Sequence, residues 1–386
     1  MLARCVLTGL TLSSILLAVA CSDEGGTGGG GSGEGAGTAD GPSTSAGPST
    51  TSTTSGPSTT TGQGGDGTGG GGNACPPLPL CDAPLPDLGQ ERDWIHTSSS
   101  ITAATGFANH RGRDMFYNPG DDIWVMAKFA YGVFDDDITD EDVDVYLNRD
   151  CGSAWESLGT VRTTEDGEHP TTEGVEDTGG WVFFKVPPRL ALGEGRHRFL
   201  MAVGGDLSTA EVFVDIVKPG TPLIVSDVDG TLTTTETEEF TALLTGSIPD
   251  SNPDSPEVLS ALADKGYRIF YMTARPHFLV GRTREFVETH GYPPGLVHTS
   301  LSLTGATGSS AVEYKSGELA MLAARGLMPA WAFGNTDSDA EAYENGSILP
   351  LDQRIMFQFD DTVFNARTID AYAELLPEFG AATPPP

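Results

Sequence analysis

An apolar run meets two carboxylates one residue apart in Pro222–Thr233, PLIVSDVDGTLT. Like charges this close repel, and a low-dielectric wall behind them amplifies the repulsion. Asp227 and Asp229 therefore call for a cation between them. More polar residues follow at matching places downstream: Thr273 and Arg275 in YMTARP, Lys315 in EYKSGELAMLAARG, and Asn335, Asp337 and Asp339 in FGNTDSDAEAY. Together they read as one site that handles charge.

The elements around these residues alternate in type. Leu223–Ser226, Arg268–Met272, Leu296–Thr299, Ala330–Phe333 and Arg354–Phe359 read as short buried strands. Between them, SPEVLSALADKG places Val258, Leu259 and Leu262 at helical spacing and stops at Gly266. EYKSGELAMLAARG places Leu319, Leu322 and Ala323 likewise, stops at Gly326, and puts Lys315 at the start of its helix. Strands alternating with helices predict a parallel sheet, and in such sheets ligands bind beyond the carboxyl ends of the strands. Each residue singled out above falls at such an end or on the following helix.

DVDGT, a threonine ending the second strand, a lysine and GNxxxD, in that order, resemble the four motifs of haloacid-dehalogenase-type phosphatases. The resemblance covers roughly Pro222–Glu378. Within that superfamily, DVDGTLT, YMTARP, HGYPPGLVHTS and AFGNTDSDAEAY are most similar to the catalytic domain of lipin phosphatidate phosphatases and to the related C-terminal domain of membrane-associated phosphatidylinositol transfer proteins. Taken alone, DxD is a common surface turn, Thr273 a strand-end hydroxyl, Lys315 a solvated helix lysine, Asn335 a turn former and Asp339 a helix N-cap. Their order and placement make the joint reading the stronger one.

The resemblance implies a haloacid-dehalogenase-like α/β domain and a Mg2+-dependent hydrolysis of a phosphomonoester. Mg2+, bound by oxygen ligands, would be the cation the paired acids require. Asp227 would attack phosphorus, forming an aspartyl-phosphate, and Asp229 would protonate the leaving oxygen and later activate water. Thr273 and Lys315 would hold phosphoryl oxygens, Gly230 and Thr231 would shape the phosphate loop, and Asn335 would complete the metal shell with Asp339 beside it or behind it. Arg275 has two readings, a headgroup ligand or a structural partner of a neighbouring acid. Only 43 residues separate Asp229 from Thr273, and 41 separate Thr273 from Lys315. That leaves no room for the large cap domain many such phosphatases carry, and an uncapped site suits a large or surface-bound substrate, phosphatidate above all. Two alternatives remain: an exported phosphatase for phosphoproteins or soluble phosphomonoesters, and a phosphatidate-binding module without turnover.

Upstream, the chain divides by composition. Met1–Ala20 reads as a signal peptide, with Arg4 ahead of an apolar stretch too short for a comfortable span. LAVAC, ending in Cys21, resembles a bacterial lipobox, which implies lipidation of Cys21 and an exported, envelope-anchored protein, with Ser22 suggesting the outer membrane. Residues 21–73, almost all Gly, Ser, Thr and Pro after the cysteine, read as a disordered tether with a reach of roughly 40 Å. A Pro-rich connector, 74–93, follows. Cys75, Cys81 and Cys151 remain for an oxidising compartment, with the pairing open.

Residues 94–217 read as strands throughout, with no helical period among them, which predicts an immunoglobulin-like β-sandwich. In AEVFVDIV, Val212, Val214 and Ile216 face one way and Glu211, Phe213 and Asp215 the other, as in a strand with one buried side. The acidic run Phe134–Leu147 reads as a solvated connection. VKPGTP, Val217–Pro222, reads as a hinge before a domain, 218–386, that folds by itself. The formal charge of −33 excludes nucleic acid as a partner.

Overall fold

The computed structural model describes residues 78–132, 134–234 and 247–384. The leader, Cys21, the tether and Cys75 lie outside the described residues. Leu223–Ser226 sits near the middle of a six-stranded, all-parallel sheet. The spatial order is Gly295–Thr299, Arg268–Thr273, Leu223–Ser226, Pro329–Gly334, Arg354–Phe357 and Arg367–Ile369. Helices Ser255–Ala263, Val280–Thr289, Ser309–Ala324 and Asp337–Asn345 connect the strands. Of the apolar stripes that the spacing predicts, Val258, Leu259, Leu262, Leu319 and Leu322 are buried, whereas Ala323 lies exposed one residue past the stripe.

Ahead of this domain, two sheets pack face to face. The first has three strands, Arg111–Arg113, Trp124–Lys128 and Trp181–Lys185. The second has five, in the order Met115–Tyr117, Thr209–Ile216, Gly195–Val203, Asp142–Asn148 and Trp155–Arg162. Val125, Val145, Phe199, Met201, Val212 and Val214 fill the space between them. The connector is stapled to this sandwich by a Cys81–Cys151 disulfide, which settles the pairing left open by the spacing. Closing a loop of that length stabilises by about 4 kcal/mol in the chain-entropy account.

Four expectations change. The sandwich region opens with a helix, Thr97–Thr105, whose sequence TSSSITAAT has no apolar period and buries only Ser99. Lys315 lies in the second turn of its helix, which begins at Ser309. The acidic run is not a solvated connection: Arg111 binds Asp135, Lys128 binds Asp137, and buried Glu141 accepts the backbone N–H groups of Ile95 and His96.

The fourth change concerns the hinge. Val212, Val214 and Ile216 are buried as expected, yet Phe213 and Asp215 on the opposite face are buried too. That face packs on the α/β domain, where Phe116, Phe213 and Val217 share a core with Phe270, Leu296 and Met272. A single compact body runs through both. Buried ion pairs cross the boundary: Arg113 to Glu318, and Arg284 to Asp114 at 2.6 Å. Asp114 also accepts the N–H groups of Phe213 at 2.8 Å and Val297 at 3.0 Å. A domain starting at Lys218 would expose this core and strand Glu318 without Arg113.

Candidate active site

Parallel pairing delivers the chemical residues to one end of the sheet. The Asp227 N–H donates to the Phe333 carbonyl at 2.9 Å, extending the central pair of strands by one step and fixing the aspartate at the carboxyl edge. Val228 and Leu232 then plunge into the core, so the chain must turn between them. Gly230 makes that turn at φ +72°, a conformation costly for any residue with a Cβ. The returning loop is tied down from below. Asn252 donates to the carbonyls of Thr231 and Thr233 at 2.8 and 2.9 Å, and the Tyr372 hydroxyl donates to that of Thr231 at 3.0 Å.

Around Asp227 the side chains form a closed set. Lys315 donates to Asp227 Oδ1 at 2.7 Å and to Asp339 Oδ1 at 2.5 Å, and all three are buried. Thr231 Oγ1 lies 3.1 Å from Asp227 Oδ2 and 2.9 Å from Asn335 Oδ1. Burial pushes the Asp227 carboxyl up to about 7. Lys315 pulls the other way, and Asp339 and Asp229 push in the same direction as burial. Lys315 is raised, because its two carboxylates outweigh the burial that opposes them.

Asp229 is half-buried and held apart from Asp227. Arg275 Nε donates to its Oδ1 at 2.7 Å, and Thr273 Oγ1 donates to its Oδ2. Arg275 is therefore an ion-pair partner of a neighbouring acid, one of its two sequence readings, and it also donates to Thr283 at 2.9 Å. Asp339 takes a role the spacing did not fix. Its Oδ2 caps the helix Asp337–Asn345 by accepting from the Thr336 N–H and hydroxyl at 3.1 and 2.8 Å and from the Asn335 N–H at 3.2 Å. Its other oxygen holds Lys315. Gly334 must be glycine here, since a Cβ would run into the Asp339 side chain. Asp337 points to solvent on the first turn of the helix, so the acidic stretch is a helix start and not a loop.

Mg2+ needs one or two protein carboxylates and some further oxygens, because it keeps waters and shares substrate phosphate oxygens. The residues present fit. Asp227 and the amide oxygen of Asn335 both reach the same hydroxyl, and three carboxylates (Asp227, Asp229 and Asp339) face two cations (Lys315 and Arg275) among the described residues. Asp339, with both oxygens engaged, serves from behind through Lys315.

Sequence reasoning missed Asn252, Tyr372 and the pairing of Arg113 with Glu318, one helical turn beyond Lys315. Asn252 had a weak signal, an asparagine ahead of a proline in the SNPD turn downstream of the DVDGTLT loop. The other two join residues far apart in the chain, which no local pattern reports.

The fold and this cluster define a two-part molecule, a β-sandwich and an α/β domain with an oxygen-rich ion cluster at its sheet edge. Comparison with known proteins names the parts: residues 108–216 match the β-sandwich domain of PITM 1-3 and residues 224–355 match the LNS2 domain of PITM 1-3. Two successive stretches of the chain are thus similar to a β-sandwich domain and to the LNS2 domain that follows it. It is 27% identical to Protein retinal degeneration B of Drosophila melanogaster over 54% of this chain and 15% of the fly protein. It is 29% identical to human Membrane-associated phosphatidylinositol transfer protein 1 over 59% of this chain and 17% of the human protein. The chain therefore spans less than a fifth of the length of these relatives. Among solved structures, a class C acid phosphatase from Bacillus anthracis aligns with 31% of this chain and 53% of its own at 18% identity, with a TM-score of 0.25, too low to bear on activity.

Proposed function

We propose that the chain is a Mg2+-dependent phosphatase with a haloacid-dehalogenase-type site, acting on a lipid phosphomonoester such as phosphatidate. The observation that carries this reading is the buried Asp227 at the carboxyl end of the central strand, with one oxygen on Lys315 and the other on Thr231. This aims a carboxylate at the one edge of the sheet where an anion would meet Lys315, Thr273 and the loop N–H groups.

Asp227 attacks phosphorus while Asp229, having left Arg275 and taken up the proton carried by the incoming phosphomonoester monoanion, passes that proton to the departing alcohol oxygen. The resulting aspartyl-phosphate is then hydrolysed by a water that loses its proton to Asp229. Lys315 holds phosphoryl oxygens where charge builds, and Asp339 keeps the lysine in place. Asp227 and Asn335, with Asp229 beside them, would hold Mg2+, which when bound offsets the repulsion between carboxylate and phosphate. Arg275 binds Asp229 until an incoming phosphate competes for the guanidinium, and that competition would release Asp229 for proton transfer.

A lipid substrate is supported by the surface beside the site. Phe278, Leu301 and Leu303 are 38%, 36% and 54% exposed. They belong to two loops joined at Arg275 and His277, where Ser300 N–H donates to the Arg275 carbonyl and His277 N–H to that of Ser302, both at 3.0 Å. Exposed apolar groups at the rim of a polar site suit a phosphate presented at a lipid surface. The relatives named for phosphatidylinositol transfer are consistent with a phospholipid partner. A second reading, a phosphatidate-binding module without turnover, draws support from Asp229 being fully engaged by Arg275 and Thr273.

Purified protein assayed on phosphatidate, a phosphopeptide and soluble phosphomonoesters separates these readings. Preferred, chelator-sensitive release of phosphate from phosphatidate is the expected result; saturable phosphatidate binding with no release would establish the module instead. For location we propose envelope anchoring through an acylated Cys21, in which case Cys21→Ala moves the protein from the membrane to the soluble fraction. Unchanged sedimentation without acyl label would remove the anchor.

A further inference from the structure

At the amino ends of the parallel strands, opposite Asp227, a cavity of about 1210 Å³ opens between the connector, the sandwich and the α/β domain. Four of the chain's 21 basic residues line it: Arg196, Arg198, Arg268 and Arg284. In a chain of net charge −33, such a concentration of guanidinium groups in one cleft calls for a physical reason.

Arg196 is the informative member, only 4% exposed. Its Nη2 donates to the Gly295 carbonyl at 2.8 Å, and its guanidinium lies over the Phe213 ring at 4.5 Å. Its Nε and Nη1 have no hydrogen-bond partner among the described residues, and Asp215 Oδ1 is 3.8 Å away. Arg268, the first residue of its strand, lines the same cavity and acts on Asp215 only through its charge. Arg198 and Arg284 are paired with Glu211 and Asp114, so each is locally neutral. Asp82, Glu211, Asp264 and Glu288 also line the cavity, so what draws an acceptor is the pair of unmade Arg196 donors and not a net charge. Buried donors left unmade are costly, and a strong acceptor would satisfy them.

Apolar groups line the space as well: Leu80 and Leu85 of the connector, with Tyr292 and Val297 of the α/β domain, and the Cys81–Cys151 disulfide fastens the connector. Small-molecule pockets run from roughly 300 to 1,000 Å³, so this space is far larger than an inorganic anion needs.

We propose that this cavity is a second ligand site, separate from the Asp227 cluster, for an anion carried on an apolar chain: a fatty carboxylate or a single-chain lipid phosphate. Arg196 and Arg268 bind the anionic head, and the connector leucines cover the chain. The carboxylate and phosphate forms share this chemistry and differ only in the head.

The test uses the purified full-length protein, a fluorescent long-chain fatty acid, lysophosphatidate as competitor, and inorganic phosphate as the headgroup alone. Saturable one-to-one binding is expected, competed by lysophosphatidate and not by phosphate. Arg196→Met and Arg268→Met should each weaken it by about tenfold or more, since each removes charge-assisted donors. Arg268→Met, at a half-buried strand end, keeps the test meaningful if Arg196→Met fails to fold. Asp227→Asn should leave binding unchanged. Binding that persists undiminished in folded Arg268→Met, that is lost in Asp227→Asn, or that is absent altogether would overturn the site. Equal competition by inorganic phosphate would overturn the role of the apolar chain.

Discussion

Two buried ion clusters lie within one helix of each other, and they are balanced differently. At the domain interface, Arg111, Arg113 and Arg284 meet Asp135, Glu318 and Asp114, one cation for each acid. Although burial opposes it, Arg113 and His298 pull the Glu318 carboxyl down to about 2. His277 is kept neutral, well below its ordinary value, by burial and by Arg111 and Arg113 beside it; it accepts from Arg111 Nε at 3.1 Å and stacks on Trp181. At the sheet edge, three carboxylates face two cations, and Asp227 is pushed up instead. The same helix carries Glu318 in the first cluster and Lys315 in the second. A matched cluster holds domains together, whereas an unmatched one stores an unsatisfied demand for positive charge, which is what a metal and a reacting phosphate would exploit.

The largest effect that would test this contrast is on turnover. Asp227→Asn replaces a nucleophile with an amide and should lower phosphate release by about 10⁴-fold or more on every ester. Retained activity in a steady-state phosphate assay would place the chemistry elsewhere. Next comes the interface. Arg113→Met leaves Glu318 buried without its cation, and breaking such a pair costs about 3–5 kcal/mol. Urea unfolding should show that loss, and Arg113→Met combined with Glu318→Leu should recover part of it. A single variant as stable as the wild type would mean the interface cluster contributes nothing to cohesion.

The two clusters should also respond oppositely to pH. Glu318 has a folded value below its unfolded one, so its stabilisation is complete above about 4.5 and is lost as pH falls toward 2. His277, also depressed, adds to the loss as pH falls below about 6.5, where the unfolded chain takes up a proton that the folded one refuses. Asp227 has a folded value above its unfolded one, so its contribution is present below 3.8 and is lost as pH rises through about 7. In metal-free buffer, Asp227→Asn should therefore be more stable than the wild type at pH 8 and no different at pH 4. Mg2+ should raise the melting temperature of the wild type at pH 8 and leave that of Asp227→Asn unmoved. A gain that is the same at both pH values would mean the Asp227 charge is not the source of strain.

Much of this was legible in the sequence where structure is local. The five strands read from apolar runs are present within a residue or two, and the strand ends hold Asp227, Thr273 and Asn335 because parallel pairing makes that outcome general. What was illegible is contact between distant segments. Phe213 and Asp215 looked like the wet face of a strand because alternation reports faces and not what covers them. The sixth strand, Arg367–Ile369, has three residues and one buried side chain, too little for a pattern. Asp339 read as a metal carboxylate or a cap, and only the Lys315 contact shows it doing the capping while anchoring the lysine.

The smallest predicted effect is also the most discriminating between turnover and mere binding, because it concerns Asp229 rather than Asp227. An aryl phosphate leaves without much protonation and a lipid alcohol does not, so Asp229→Asn should spare the first step on the aryl ester and slow the lipid ester by a further 10–100-fold or so. Arg275 gives this split a second handle. If Arg275 restrains Asp229 until phosphate arrives, Arg275→Gln should shift the acid limb of the pH–rate profile for the lipid ester while leaving the aryl ester close to wild type. A purely structural Arg275 would instead depress both esters together and lower the melting temperature. Burst kinetics on the two esters would read the outcome directly, and equal losses on both in Asp229→Asn would remove the general acid from the mechanism.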